Sequence, residues 1–177
     1  MLKALRERSL RNGIAARICE ILSARAREPL FFLEFGVADT FDGRFDLLVL
    51  HAWLVLDRLQ AVGEQELAQS LVDALFVRLD DALREQGAGD MGMNRRMKKM
   101  AGAFYGRLAA YNGATDEAAL AAVLVRNLYR GAPARVEHAA TLAKYAFGAR
   151  ARLRQCRLDE GRLEFGPIGG PAEAHGQ

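Results

Sequence analysis

Leu47-Leu48-Val49-Leu50-His51-Ala52-Trp53-Leu54-Val55-Leu56 decides the fold. A helix turns by about 100° per residue, and this run is apolar on nearly every side of such a helix. At ten residues, bounded by Asp46 and Asp57 and interrupted by His51, it is too short for a membrane span, which needs about 20 residues. A helix apolar all round belongs at the centre of a bundle. On its N-terminal side, Thr40 or Asp42 is the expected N-cap, because either side-chain oxygen can accept from the free amides of a first turn. On its C-terminal side Gly63 ends the helix at about residue 62, and Glu64 and Glu66 favour the start of the next through the helix dipole.

Working outward, helical periodicity continues in both directions. Ile14, Ile18, Ile21 and Leu22 give one buried face within a first helix over residues 2–26. Pro29 stops it, since proline disfavours the helical conformation of the residue before it. Leu30-Phe31-Phe32-Leu33-Glu34-Phe35-Gly36 reads as an aromatic connector. A third helix, to about residue 86, carries a buried stripe of Ala68, Val72, Leu75, Phe76, Leu79 and Leu83, and Gly87 and Gly89 break it. A fourth, over residues 94–111, buries Met97, Met100, Ala101, Phe104 and Leu108 before Asn112-Gly113. Thr115 caps a fifth, and Pro133 opens a sixth that reaches about residue 152. The weak alternation over residues 153–165 fits a small hairpin or an extended arm. The Gly/Pro-rich residues 166–177 form an expected disordered tail. The predicted fold is all-α: a single-domain bundle of about six helices over residues 1–165.

Composition supports a domain with its own core. Of 177 residues, 51% are hydrophobic and 27% charged, as expected of a globular chain. A chain of this length buries roughly 70% of its unfolded surface, so it needs no disulfide or metal staple. The two cysteines, Cys19 and Cys156, form no CxxC or Cys/His cluster and read as small apolar residues of a reducing compartment. The N-terminus has charges but no apolar stretch of the secretory type, so a soluble protein is expected. The net charge of +3 is modest but unevenly distributed. Residues 64–90 hold seven acids against Arg78 and Arg84, whereas residues 91–115 hold five bases and no acid. Such segregation presents basic surface to an anionic partner from a nearly neutral chain.

The fourth helix carries most of the functional information. Arg95, Lys99, Gly102 and Gly106 share one side, with Lys98 beside them, while Met97, Met100, Phe104 and Leu108 lie opposite. Each interior glycine costs a helix about 1 kcal/mol relative to alanine, so two of them call for a reason. A docking surface, basic at one end and flat at the other, is one reason; a solvated face plus close helix crossings is the other. A helix-turn-helix would offer Arg95, Arg96, Lys98, Lys99 and Arg107 to a duplex. Only Asn94 accompanies them as a base reader, and Asp80, Asp81 and Glu85 stand where phosphates would pass. Ribosomal RNA contact needs only backbone neutralisation and is the stronger form of the nucleic-acid alternative.

Little in the chain points to catalysis. Asp39-Thr40-Phe41-Asp42-Gly43-Arg44-Phe45-Asp46 is explained by capping, dipole complementarity and pairing with Arg44. A carboxylate mechanism needs a second group held opposite, and none is identifiable. His51 reads as a hydrogen-bonded core histidine; His138 has no ligand at i+3 or i+4, so no metal site is expected. No Walker A sequence, strand-borne GxGxxG or GxSxG occurs. No cofactor and no enzymatic activity are expected.

Several blocks in order carry a resemblance. Gly36-Val37-Ala38-Asp39-Thr40-Phe41-Asp42-Gly43-Arg44-Phe45-Asp46 is followed by Leu50-His51, then by Leu67-Ala68-Gln69 and Asp73-Ala74-Leu75-Phe76. Leu83-Arg84-Glu85-Gln86-Gly87-Ala88-Gly89-Asp90-Met91, Arg96-Met97-Lys98-Lys99-Met100 and Phe104-Tyr105-Gly106-Arg107 complete the set. Over residues 29–111 the sequence resembles the ubiquinol–cytochrome c chaperone family. The resemblance implies a non-enzymatic assembly chaperone that binds newly made cytochrome b or another component of respiratory complex III. It implies a small partner protein or the ribosome as further partners, and work at the cytoplasmic face of the inner membrane by a bacterial relative. Arg95, Arg96, Lys98, Lys99, Gly102, Tyr105, Gly106 and Arg107 are the candidate partner contacts. Phe31, Phe32, Phe35 and Phe41 are the candidate lining of a client groove.

Overall fold

The computed structural model describes residues 2–85, 90–158 and 162–169. Among these there are seven α-helices and no strand: α1 (Leu2–Arg25), α2 (Pro29–Leu33), α3 (Phe41–Ala61), α4 (Gln65–Glu85), α5 (Asp90–Asn112), α6 (Glu117–Asn127) and α7 (Val136–Leu153). A 3-10 turn at Pro133–Arg135 leads into α7. The extra helix is α2, the segment expected as an irregular connector. Pro29 sits in its first turn, where the missing amide is no loss and the fixed φ suits a helix.

α3 is the axis of the bundle. Leu47, Val49, Leu50, Ala52, Leu54, Val55 and Leu59 are wholly buried, and α1, α4, α5 and α7 pack around them. Thr40 caps α3, its Oγ1 accepting from the Gly43 amide at 3.1 Å. Gly43 is fixed by crowding: a Cβ there would stand 2.0 Å from the Ala38 carbonyl oxygen. α1 lies along α4, and α6 along α7, as the two most extensive helix pairs.

The buried column of α4 is Leu67, Leu71, Leu75, Leu79 and Leu83: the expected Leu75, Leu79 and Leu83 are in it, and Leu67 and Leu71 join them. These leucines recur every four residues and lie along the packed side of the helix. Ala68, Val72 and Phe76 are half-buried on the flank, where Phe76 meets the Phe104 ring of α5 edge-on at 5.3 Å. α6 is capped by Asp116, not by Thr115; its carboxylate accepts from the Ala119 amide at 2.8 Å. Gly87 and Gly89, the expected breakers before α5, lie outside the described residues.

The order of the chain extends past residue 165. Phe165 and Ile168 are buried, and the Arg25 guanidinium donates to the Gly166 carbonyl, so the expected start of a loose tail at 166 is too early. Residues 159–161 and 170–177 of the predicted arm and tail lie outside the described residues. Phe165 lands edge-on against His51, with ring centroids 5.2 Å apart. His51 is wholly buried and fully satisfied. Its Nδ1 lies 2.7 Å from the Leu47 carbonyl, which can only accept, so Nδ1 carries the proton. Nε2 then accepts from the Tyr145 hydroxyl at 2.9 Å, and that hydroxyl accepts from Arg25 Nε at 3.1 Å. Burial lowers the His51 pKa to about 4.

Candidate functional site

α5 presents two different faces because its apolar side is narrow. Met93, Met100 and Phe104 are buried against the bundle, and Met97 and Leu108 are half-buried. Outward, Arg95, Lys98, Gly102, Tyr105 and Gly106 are exposed. The two glycines are not required by a helix crossing: a Cβ at Gly102 or at Gly106 would meet nothing within 4 Å. Tyr105 is 53% exposed and lies nearly parallel to the half-buried Phe76 ring at 6.1 Å. This face is flat and open, with cations at its N-terminal end.

The adjoining side of α5 walls a groove of about 850 Å³. Arg96, Lys99, Met100, Ala103 and Arg107 line it from α5. Thr40, Phe41, Asp42 and Phe45 come from the start of α3, Arg126 and Asn127 from the end of α6, and Arg130 from the loop after it. The floor is apolar and the rim is cationic. Phe41 and Phe45 also border a second hollow of about 410 Å³, which reaches Arg27, Arg44 and Arg78.

Beneath the groove lies a buried ion cluster. Asp46 has no exposure; its Oδ1 is 2.6 Å from Arg107 Nε and its Oδ2 is 2.7 Å from an Arg130 Nη. Burial raises the Asp46 pKa, and the close approach of Arg130 and the charges of both guanidinium groups oppose that rise. The Arg107 guanidinium also lies over the Phe45 ring at 5.3 Å. Arg130 reaches Asp46 from a left-handed backbone, φ +56°, a conformation that costs a non-glycine residue about 1–3 kcal/mol unless its surroundings enforce it. The carboxylate therefore ties the loop after α6 to the first turns of α3 and the last turns of α5.

The family can now be stated. The description of the matching family model is ubiquinol–cytochrome C chaperone, and the match spans residues 33–161. The chain belongs to this family. It is also similar to the Cbp3 homolog from Brucella abortus, known from a crystal structure: 37% identity, 94% of this chain and 96% of that one covered, TM-score 0.79. No curated protein matches the chain. Among the described residues no helix is long and apolar enough to cross a membrane.

In this chaperone the structure redistributes the residues singled out from the sequence. Arg95, Arg96, Lys98, Lys99, Gly102, Tyr105 and Gly106 are exposed together on α5. Arg107 is not a free surface cation, being 16% exposed and bound to Asp46. Asp46, in turn, neither caps nor pairs with Arg44; Arg44 takes Asp39 instead, at 2.8 Å. Phe31 and Phe35 are core residues with 0% and 1% exposure, set edge-on to His51 and Tyr145 respectively, and line no client groove. Phe32 is half-buried beside Arg27, Pro29 and Arg44, and Phe41 is half-buried at the junction of the two hollows. Sequence reasoning missed Arg126 and Arg130, and it placed Leu83 and Met100 in the core without seeing that their edges floor a groove. The spacing of Arg126 and Arg130 at i, i+4 was the available clue, but nothing local linked them to Asp46.

Proposed function

We propose that this chaperone binds newly made cytochrome b, or a partner protein engaged with it, during assembly of the ubiquinol–cytochrome c reductase complex. The cationic side of α5 is the docking face. The observation that carries the reading is the open surface of α5: Arg95, Lys98 and Lys99 make no ion pair among the described residues, and they lead into two glycines with empty space above them. Cations crowded onto two turns repel one another, and glycines weaken a helix, so such a face is retained at a cost to the fold. Contact with another molecule offsets both terms. Work at the cytoplasmic face of the inner membrane, near a small partner or the ribosome, belongs to the same proposal.

The experiment is a crosslinked pull-down from cells that make the cytochrome bc complex, comparing wild type with Lys98→Glu/Lys99→Glu. Recovery of cytochrome b by wild type and its loss with the folded variant are expected. If wild type recovers nucleic acid and no cytochrome b, the chaperone reading is refuted in favour of a basic nucleic-acid module.

A further inference from the structure

The groove beside α5 has features that the open α5 face lacks: a concave shape, an apolar floor and pre-positioned guanidinium groups. Arg96, Lys99 and Arg126 stand on its rim without an ion-pair partner among the described residues. Arg130 joins them. One Nη meets Asp46, but the side chain stays 49% exposed and a guanidinium has five N–H donors, so donors remain for a second carboxylate. Among the described residues the lining offers these cations a single acid, Asp42.

We infer that this groove holds an acidic, amphipathic segment of a partner protein. Its carboxylates face Arg96, Lys99, Arg126 and Arg130, and its apolar side chains rest on Phe41 and Met100. The inference rests on the chaperone reading above and names the chemistry of one partner. Charge complementarity selects an anion, and the apolar floor selects an anion that also carries apolar groups. Asp46 acts here as a positioning residue. By fixing Arg107 and Arg130 before any ligand arrives, it removes the side-chain ordering that a flexible arginine would undergo on binding.

Three other occupants fit less well. A duplex backbone has no apolar group to cover Phe41 and Met100, and it would meet the Asp42 carboxylate. A membrane surface is flat, and none of the large exposed apolar side chains, such as Leu5, Leu10, Leu33 or Val136, lines the groove. The cytoplasmic loops of a membrane client carry an excess of Lys and Arg, which a cationic groove repels. The groove therefore suits an acidic partner segment and not such a loop.

The test is a titration of the full chain against a short fluorescein-labelled peptide bearing Leu and Phe at helical spacing among Glu residues. A matched peptide has Gln for every Glu. Binding of the Glu peptide is expected, weaker by about tenfold or more for the Gln peptide and for Arg96→Glu/Arg126→Glu, and weaker again at high salt. Shifts of the Met100 methyl resonance on binding place the peptide in the groove. Should the charge reversal unfold the chain, as read by circular dichroism, Arg96→Gln/Arg126→Gln serves in its place with the same expected direction. Equal binding of the Glu and Gln peptides overturns the inference, as does binding unaffected by the substitutions. Preferential capture of an RNA oligomer or of anionic vesicles through the same arginines also overturns it. The pull-down separates the two ideas. If wild type recovers cytochrome b while the peptide fails to bind, the groove assignment falls and the chaperone reading stands; if wild type recovers none, the chaperone reading falls, whatever the peptide does.

Discussion

Replacing Asp46 by asparagine removes the charge that two arginines share while leaving a side chain of nearly the same volume. The consequence differs between the partners. Arg130 is 49% exposed and can turn its guanidinium into water, whereas Arg107 is 16% exposed and is packed over Phe45, so it stays largely buried. Stranding one member of a buried pair costs about 3–5 kcal/mol, and the escape of Arg130 places this case near the lower end, at about 3 kcal/mol. In a domain whose total stability is about 5–15 kcal/mol that is a large fraction. It corresponds to a fall in Tm of roughly 10 °C for a chain of this size. Trp53 is the only tryptophan and is buried, with Nε1 donating to Asn112 Oδ1 at 2.8 Å, so its fluorescence reports unfolding. Urea denaturation followed at Trp53 and by circular dichroism should give a lower midpoint at an unchanged m-value. The double substitution Asp46→Leu/Arg107→Met removes both charges and should recover most of the loss, because a well-packed apolar pair often equals a buried ion pair. If Asp46→Asn unfolds within about 1 kcal/mol of wild type, Asp46 does not organise these arginines.

Further expectations concern the glycines and the buried histidine. Gly102→Ala and Gly106→Ala should each stabilise the isolated protein by about 1 kcal/mol in urea unfolding, since a Cβ meets empty space at both; loss of stability would mean that the α5 surface is not open. Gly43→Ala should do the opposite, costing at least about 2 kcal/mol in the same assay, because its Cβ would press on the Ala38 carbonyl. His51, with its pKa lowered from 6.5 to about 4, contributes stability that is fully present above pH 6.5 and is lost as pH falls towards 4. The loss amounts to about 3 kcal/mol. The difference in urea midpoint between wild type and His51→Asn should therefore shrink across that window, and a constant difference would refute the assignment.

The elements were legible because each was specified locally. The run Leu47–Leu56 needed no partner to be read as a central helix, and the proline and glycine breaks that flank the helices act through backbone geometry alone. The misreadings fall where a choice depends on a neighbour. Val72 and Phe76 of α4 satisfy a helical period as well as Leu67 and Leu71 do; only the placement of α1, α3 and α5 decides which set is buried. Phe31 and Phe35 illustrate the same limit, since an aromatic cluster before a helix is equally good as a groove or as filling. Its fate was settled by Tyr145, more than a hundred residues later in the chain.

The candidate site shows where periodicity stops informing function. The cationic face of α5 was readable because one helix carries it, and residues three and four apart on a helix are neighbours. The groove was not, because it is assembled from the start of α3, the middle of α5 and the end of α6. Asp46 makes the point most sharply. In sequence it stands two residues from Arg44 and beside a capping segment, so pairing within that segment is the natural reading. In the fold, position 46 turns inward from the second turn of α3, where Arg44 cannot follow, and the charge must be met from Arg107 and Arg130. A fully buried carboxylate cannot be left uncompensated, and in this fold Arg107 and Arg130 compensate it. That requirement fixes two guanidinium groups at the groove independently of any ligand, while Arg96, Lys99 and Arg126 serve no such internal need. Those three cations are therefore where a partner's chemistry is free to act on the sequence.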